Sequence, residues 1–237
     1  MSNEQKTILI TGANRGVGLK LTESFVEKGY KVIAAVRDLS KAPAIDGLAA
    51  VVKIDSNEFD DPVKAVEELK KRGIDQLDIV VANAGISTNH KLLREADMDV
   101  FDDHYRVNAK APLLLYKAVY PLLVKKEGSK FIVISTGLSQ NSFQHMPKFG
   151  VYGSSKAAVN YLTRQIHFEE PQLTTFMISP GWLDTEMGFE GAAAAGIQGP
   201  PEKISVAIPQ IVDLIEKSDR ESRGGYMWNY DGNKWEF

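Results

Sequence analysis

The chain has 237 residues, 43% of them hydrophobic and 25% charged, which suffices to bury the core of one α/β domain. A net charge of -3 gives no basic field for nucleic acid or anionic lipid, and the lack of cysteine excludes disulfides and thiolate metal sites. Small-molecule chemistry passes that filter. The polar stretch from Met1 to Lys6 runs straight into a strand, and the apolar runs are short and interrupted, so the expectation is a cytoplasmic protein without a leader or a membrane span.

Residues 7–11 form a short β-branched run closed by a glycine cluster, and residues 19–28 follow with helical spacing at Leu19, Leu21, Phe25 and Val26. The unit repeats as strands over 31–36 and 50–54, a helix over 62–72 and a strand over 77–82. Continuously apolar strands alternating with amphipathic helices mean a parallel sheet covered on both faces. A long helix over 100–123 that includes Pro112, a strand over 131–135, a helix over 152–169, a strand over 173–179 and a last strand over 225–229 continue the pattern. The expectation is an α/β fold in a single domain, residues 1–237, with a Rossmann-type, doubly wound, seven-stranded parallel sheet and helices on both faces. Residues 188–201 hold an alanine run and several glycines but no periodic pattern, which reads as a mobile loop with one short helical turn at most.

The segment Thr11-Gly12-Ala13-Asn14-Arg15-Gly16-Val17-Gly18 ends a strand and opens a helix. Glycines in that context let the backbone approach a pyrophosphate, whose charge is met by the amides and dipole of the helix N-terminus. Gly12, Asn14, Arg15, Gly16, Val17 and Gly18 are therefore candidate dinucleotide ligands, against the plain alternative of a structural glycine turn. An NAD site of this kind needs a carboxylate at the end of the second strand, where this chain has Val36, then Arg37. Arg15 and Arg37 together suit a phosphate monoester, because each guanidinium is a permanently charged fork of donors. That favours NADP(H); the alternative leaves both arginines on the surface and gives the ribose hydroxyls to Asp38.

Tyr152 and Lys156 lie one helical turn apart and share a face. A free phenol titrates near about pH 10, and an ammonium beside it stabilises the phenolate, so the pair can give a proton to a carbonyl oxygen as hydride arrives at the carbon. Taken alone, the spacing also fits a surface pair worth a few tenths of a kcal/mol.

The G-x-x-x-G-x-G turn behind Thr11, the Asn83-Ala84-Gly85 segment at the end of the fourth strand and the Y-x-x-x-K spacing together resemble the short-chain dehydrogenase/reductase family over nearly the whole chain. Within it, residues 160–169 and Ser179-Pro180-Gly181-Trp182 are similar to fungal ketoreductases of the norsolorinic acid ketoreductase type and to carbonyl-reductase-like members. The resemblance implies NADP(H)-dependent, reversible reduction of a ketone or aldehyde, with pro-S transfer. It gives Asp55 to the adenine, Asn83, Ala84 and Gly85 to the cofactor ribose and the sheet, and Lys156 to the nicotinamide ribose. Asn108 supplies a backbone carbonyl for a proton-relay water. Pro180, Gly181, Leu183 and Thr185 close over the nicotinamide, and residues 186–203 become the substrate lid.

The hydroxyl that anchors the substrate oxygen stays open: strand matching gives Thr136, the usual interval to Tyr152 gives Ser139, and an earlier strand end gives Ser135, with Thr136 preferred. Phe143, His145, Met146, Phe149, Trp182 and Met187 fall near the pocket mouth and suggest an apolar carbonyl substrate. With four histidines no metal cluster is expected. The two long helices are where the family pairs subunits as homodimers or homotetramers, but charged residues such as Lys110, Lys117, Arg164 and Glu169 on them leave the oligomeric state open. Longer chains or altered tyrosine spacing set enoyl reductases and nucleotide-sugar epimerases apart. A regulator that senses NADPH without turnover remains the competing class, and the intact Tyr152 and Lys156 argue against it.

Overall fold

The computed structural model describes residues 5–142 and 146–236. Strands β1 (Thr7–Thr11), β2 (Lys31–Val36), β3 (Ala50–Lys53), β4 (Ile79–Ala82), β5 (Lys130–Ile134), β6 (Thr174–Ser179) and β7 (Met227–Asn229) are parallel neighbours in the order β3-β2-β1-β4-β5-β6-β7. The order reverses between β1 and β4, so a crevice opens at the carboxyl ends of those strands.

Alternation along each strand feeds two cores. Leu9, Val80, Phe131 and Met177 face α2 (Asp61–Lys71), α4 (Ala111–Leu123) and α5 (Gly150–Glu169) through Leu69, Leu122 and Ile166. Ile8, Ile10, Ile132 and Ile178 face α1 (Gly16–Glu27) and α7 (Ile204–Lys217) through Phe25, Ile211 and Ile215. Each such fully buried side chain contributes about 1.5–3 kcal/mol.

Four features differ from expectation. The sheet has eight strands, not seven, among the described residues: β8 (Lys234–Trp235) turns back antiparallel onto β7. Its turn closes with Asn229 accepting from Gly232 at 2.9 Å, and a two-residue strand is too short to show a period. The segment expected to be a loop carries α6 (Glu186–Ala195), because Thr185 Oγ1 accepts from the Gly188 amide at 3.1 Å and Gly196 ends the helix at φ 75°. Alanine's high helix propensity completes it. The long helix over 100–123 is two helices, α3 (Met98–Tyr105) and α4, joined by a π turn at Arg106–Lys110. Finally, α7 and the four-residue α8 (Arg220–Arg223) lie outside the expected elements, although α7 has the spacing of Ala207, Ile208, Ile211, Val212 and Ile215 interrupted only by Pro209.

Among the described residues no helix is long and apolar enough to cross a membrane, and no cluster of three or more acidic or histidine side chains could hold a metal ion.

Candidate active site

The turn after β1 is shaped by missing side chains. Gly12 and Gly16 adopt φ 65° and 52°, the left-handed region that favours glycine. A Cβ at Gly18 would stand 2.2 Å from the Gly12 carbonyl oxygen and 2.5 Å from Asn83 Nδ2, so only glycine lets α1 approach the sheet there. Thr11 Oγ1 accepts from the Asn83 and Ala84 amides, each at 3.0 Å, and Asn83 Nδ2 donates back to the Thr11 carbonyl at 2.8 Å. These bonds tie the Asn83-Ala84-Gly85 turn to the glycine turn. Arg15, the residue before α1, offers no side-chain cap and the first turn holds no acid, so the helix amides keep their donors and positive end for an anion. Asn14 and Val17 are half-buried beside them.

At the end of β2, Val36 is buried and Arg37 is exposed. Asp38 is committed locally: its carboxylate accepts from the Ser40 amide at 3.0 Å and hydroxyl at 2.7 Å, which holds its pKa below the usual carboxylate value. Arg15 pairs with Glu186 of α6, so the glycine turn and α6 meet across an exposed ion pair. Asp55 accepts from the Asn57 amide at 3.0 Å in a tight turn after β3.

Tyr152 and Lys156 sit in the first two turns of α5. Burial pushes the Tyr152 phenol up to about 12, opposed in part by the Thr136 hydroxyl, which lies close enough to stabilise the phenolate. Thr136 Oγ1 also accepts from the Leu138 amide at 3.3 Å, which orients it in the one-turn helix Gly137–Ser139. Lys156 Nζ donates to the Ile134 carbonyl at 2.8 Å, and burial alone pulls its pKa down to about 8. Burial therefore dominates the Tyr152 phenol, and Lys156 directs its donor at the strand end. The open side of Gly85 receives Lys156, since a Cβ there would lie 3.2 Å from Nζ and 3.1 Å from Asn108 Oδ1.

Asn108 lies fully buried in the π turn. Its Oδ1 accepts from the Ile86 amide at 2.9 Å, and its Nδ2 donates to the Ile86 carbonyl at 2.9 Å and to Ser155 Oγ at 3.0 Å. One side chain thus fastens the loop after β4 to α5. Ser135 and Ser139, the other candidates for the hydroxyl anchor, are instead committed to Asn160, at 2.6 Å and 2.7 Å.

After β6, Pro180 leads into Gly181 at φ 88°. Leu183 is buried and forms a parallel bridge to Glu202, whose carboxylate accepts from the Trp182 amide. Thr185 spends its hydroxyl capping α6. Trp182 Nε1 donates to the Gly188 carbonyl at 2.9 Å, and its ring meets Phe149 edge-on at 6.4 Å. Met187 lines a cavity of about 120 Å³ together with Arg15, Ile86, Ser87, Thr88 and Glu186. Met146 is half-buried, while Phe143 and His145 lie outside the described residues.

A family model for short chain dehydrogenases matches residues 6–194. The chain belongs to the short-chain dehydrogenase family. It is 36% identical to the short-chain dehydrogenase RED3 of Pyricularia oryzae over 246 residues, covering 97% of this chain and 98% of that one. It is 34% identical to the norsolorinic acid ketoreductase nor1 of Dothistroma septosporum over 248 residues, covering 98% and 92%. Among solved structures it shares its fold with the carbonyl reductase Sniffer of D. melanogaster, with TM-score 0.85 at 23% identity over 99% of this chain and 100% of that one. The NADPH-bound carbonyl reductase from chicken fatty liver gives TM-score 0.83 at 22% identity over 99% and 96%.

Motif spacing in this short-chain dehydrogenase misses Ser87, Thr88 and His90, in the loop after β4. Ser87 Oγ lies 3.0 Å from His90 Nε2, and the His90 ring leans on Phe149 at 4.7 Å. Burial lowers the His90 pKa, so the ring is neutral and packs as an aromatic. A positional signal exists: residues following the carboxyl end of a strand beside the crevice line its mouth whatever their type.

Proposed function

We propose that this short-chain dehydrogenase uses NADPH to reduce a ketone or aldehyde to the alcohol. The observation that carries the reading is Tyr152 one helical turn from the buried Lys156, whose Nζ reaches the end of β5 and the open side of Gly85, beside the Asn83–Gly85 turn and the glycine cradle. The cradle fits a dinucleotide, because Gly12 and Gly16 take the left-handed turn, Gly18 seats α1 against the sheet, and the uncapped N-terminal amides of α1 are left for a phosphate. Arg15 and Arg37, with Asp38 occupied by Ser40 and no carboxylate at Val36, support a 2′-phosphate. The bound cofactor supplies the hydride that reaches the carbonyl carbon.

Thr136 and Tyr152 hold the carbonyl oxygen, and Tyr152 donates its proton to it as negative charge develops. A phenol held near 12 is fully protonated at neutral pH, the state an acid requires. Lys156, at about 8, is mostly charged there and stabilises the phenolate left behind. Pro112 stands four residues after Asn108 and has no N–H to give its carbonyl, which supports that carbonyl as the acceptor for a water returning a proton by way of Lys156. The mouth formed by His90, Phe149, Trp182 and Met187 suits an apolar or aromatic carbonyl, in keeping with a ketoreductase among the relatives.

The test is to follow loss of reduced-nicotinamide absorbance with NADPH and with NADH against aromatic diketones, quinones and simple ketones, beside Tyr152→Phe. Turnover with NADPH that Tyr152→Phe abolishes without losing cofactor binding is the expected result. Cofactor binding with no turnover of any carbonyl would overturn the reading in favour of an NADPH sensor.

A further inference from the structure

Thr136 is held by more than its own turn. Ser139 Oγ donates to the Thr136 carbonyl at 2.6 Å and accepts from Asn160 Nδ2 at 2.7 Å, while Asn160 Oδ1 accepts from Ser135 Oγ at 2.6 Å. The three side chains retain 3%, 1% and 5% exposure at Ser135, Asn160 and Ser139, so water cannot substitute for any of these bonds. Asn160 lies one helical turn beyond Lys156 on the helix that carries Tyr152. Ser135 follows β5, and Ser139 closes the one-turn helix that begins after Thr136. The asparagine therefore grips the Thr136 segment on both sides, and grips it from the helix whose phenol Thr136 must meet.

We propose that the Ser135–Asn160–Ser139 network positions the Thr136 hydroxyl against Tyr152, with Asn160 as the positioning residue. The two serines act through Thr136 and do not touch substrate. The inference rests on the reductase reading. Its physical content is that buried, fully bonded polar groups have one low-energy arrangement, which transmits the geometry of α5 to the turn after β5. A misplacement of about 1 Å at a reacting group costs up to about a hundredfold in rate.

A double-mutant cycle separates positioning from packing. Ser139→Ala cuts the bond to the Thr136 carbonyl. Asn160→Ala removes the node in a second, independently foldable way, because the two serine oxygens already lie 3.5 Å apart and can pair. Each is measured alone and combined with Thr136→Ala, reading kcat, KM, NADPH Kd and melting temperature. The expected result is a fall in kcat of between about tenfold and about a hundredfold with KM and Kd unchanged, and no further fall once Thr136 is alanine. Equal losses in both backgrounds, or melting-temperature losses with kcat intact, assign the network to packing and overturn the proposal. If Thr136→Ala alone leaves kcat unchanged while Tyr152→Phe abolishes it, the positioning role fails and the reductase reading stands. Absence of any carbonyl turnover in the wild type defeats both.

Discussion

Around β1 the site is made of backbone and of side chains that are missing; around β5 and β6 it is made of side chains that touch. Gly12, Gly16 and Gly18 create room, and Thr11 and Asn83 lock two main-chain turns together. Across the crevice, Thr136, Tyr152, Lys156 and Asn160 meet through hydroxyls, an ammonium and an amide drawn from two elements. The first kind of construction tolerates no added atom and carries no proton chemistry. The second tolerates isosteric change in the fold while the chemistry depends on each atom.

The largest effect should come from filling the first region. Gly18→Ala drives a Cβ to 2.2 Å from the Gly12 carbonyl oxygen, and its cost should exceed about 3 kcal/mol with loss of measurable NADPH binding by titration. Gly29→Ala shows the other kind of cost: φ is 80° with nothing within 4 Å, so only backbone strain of about 1 kcal/mol is expected, whereas Gly18 lies outside the left-handed region. A cost at Gly18 no greater than at Gly29 would mean that α1 shifts to relieve the close approach.

In the second region Tyr152→Phe should do the reverse. Turnover should fall by roughly a hundredfold to ten-thousandfold in steady-state assays, while NADPH binding and the fold stay within about 1 kcal/mol of wild type. A variant that loses cofactor binding as well would dissolve the contrast between the two halves.

That contrast also explains what the sequence discloses. The bounds of β1 and β2 and the role of the glycine turn follow from local rules, because β-branched runs and left-handed glycines need no distant partner. Tyr152 and Lys156 are legible because a helix fixes what lies four residues on. The choice among Ser135, Thr136 and Ser139 is not, since it depends on which hydroxyl Asn160 takes from another element. The helix α6 is hidden for a similar reason: its caps are local, but Trp182 Nε1 on Gly188 and the Arg15–Glu186 pair fix its place. Burial of the phenol, which outweighs the opposing Thr136 hydroxyl, exists only in three dimensions.

Lys156 gives a prediction with two signs. Its folded pKa of about 8 lies below the ordinary 10.5, so burying the charge costs about 3 kcal/mol at neutral pH. The unfolded chain binds the extra proton between these values, so this residue's penalty fades as pH rises through that window. Lys156→Met should then be inactive yet more stable. Allowing about 1 kcal/mol for the lost bond to the Ile134 carbonyl leaves a gain of about 2 kcal/mol, or roughly 4–8 °C in Tm. In the wild type, kcat for reduction should decline above about pH 8, where the ammonium that stabilises the phenolate is lost while Tyr152 stays protonated.

The smallest effect belongs to the neck below α6, where the two kinds of construction are superimposed. Main-chain bonds from Asp184 N to Glu202 O at 3.1 Å and from Glu202 N to Trp182 O at 3.2 Å close the neck below α6. The Glu202 carboxylate adds an acceptor for the Trp182 amide and lies with the Tyr230 ring in a space open because residue 181 is glycine. Glu202→Ala removes the side-chain layer and keeps the main-chain one. It should cost about 1–2 kcal/mol locally, raise KM for the carbonyl by up to about tenfold, and leave kcat and NADPH Kd near wild type. Faster proteolysis within residues 186–201 should accompany the rise in KM. If KM and proteolysis are both unmoved, the backbone alone holds α6, and the division between a backbone-built and a side-chain-built half ends at α5 instead of running through β6.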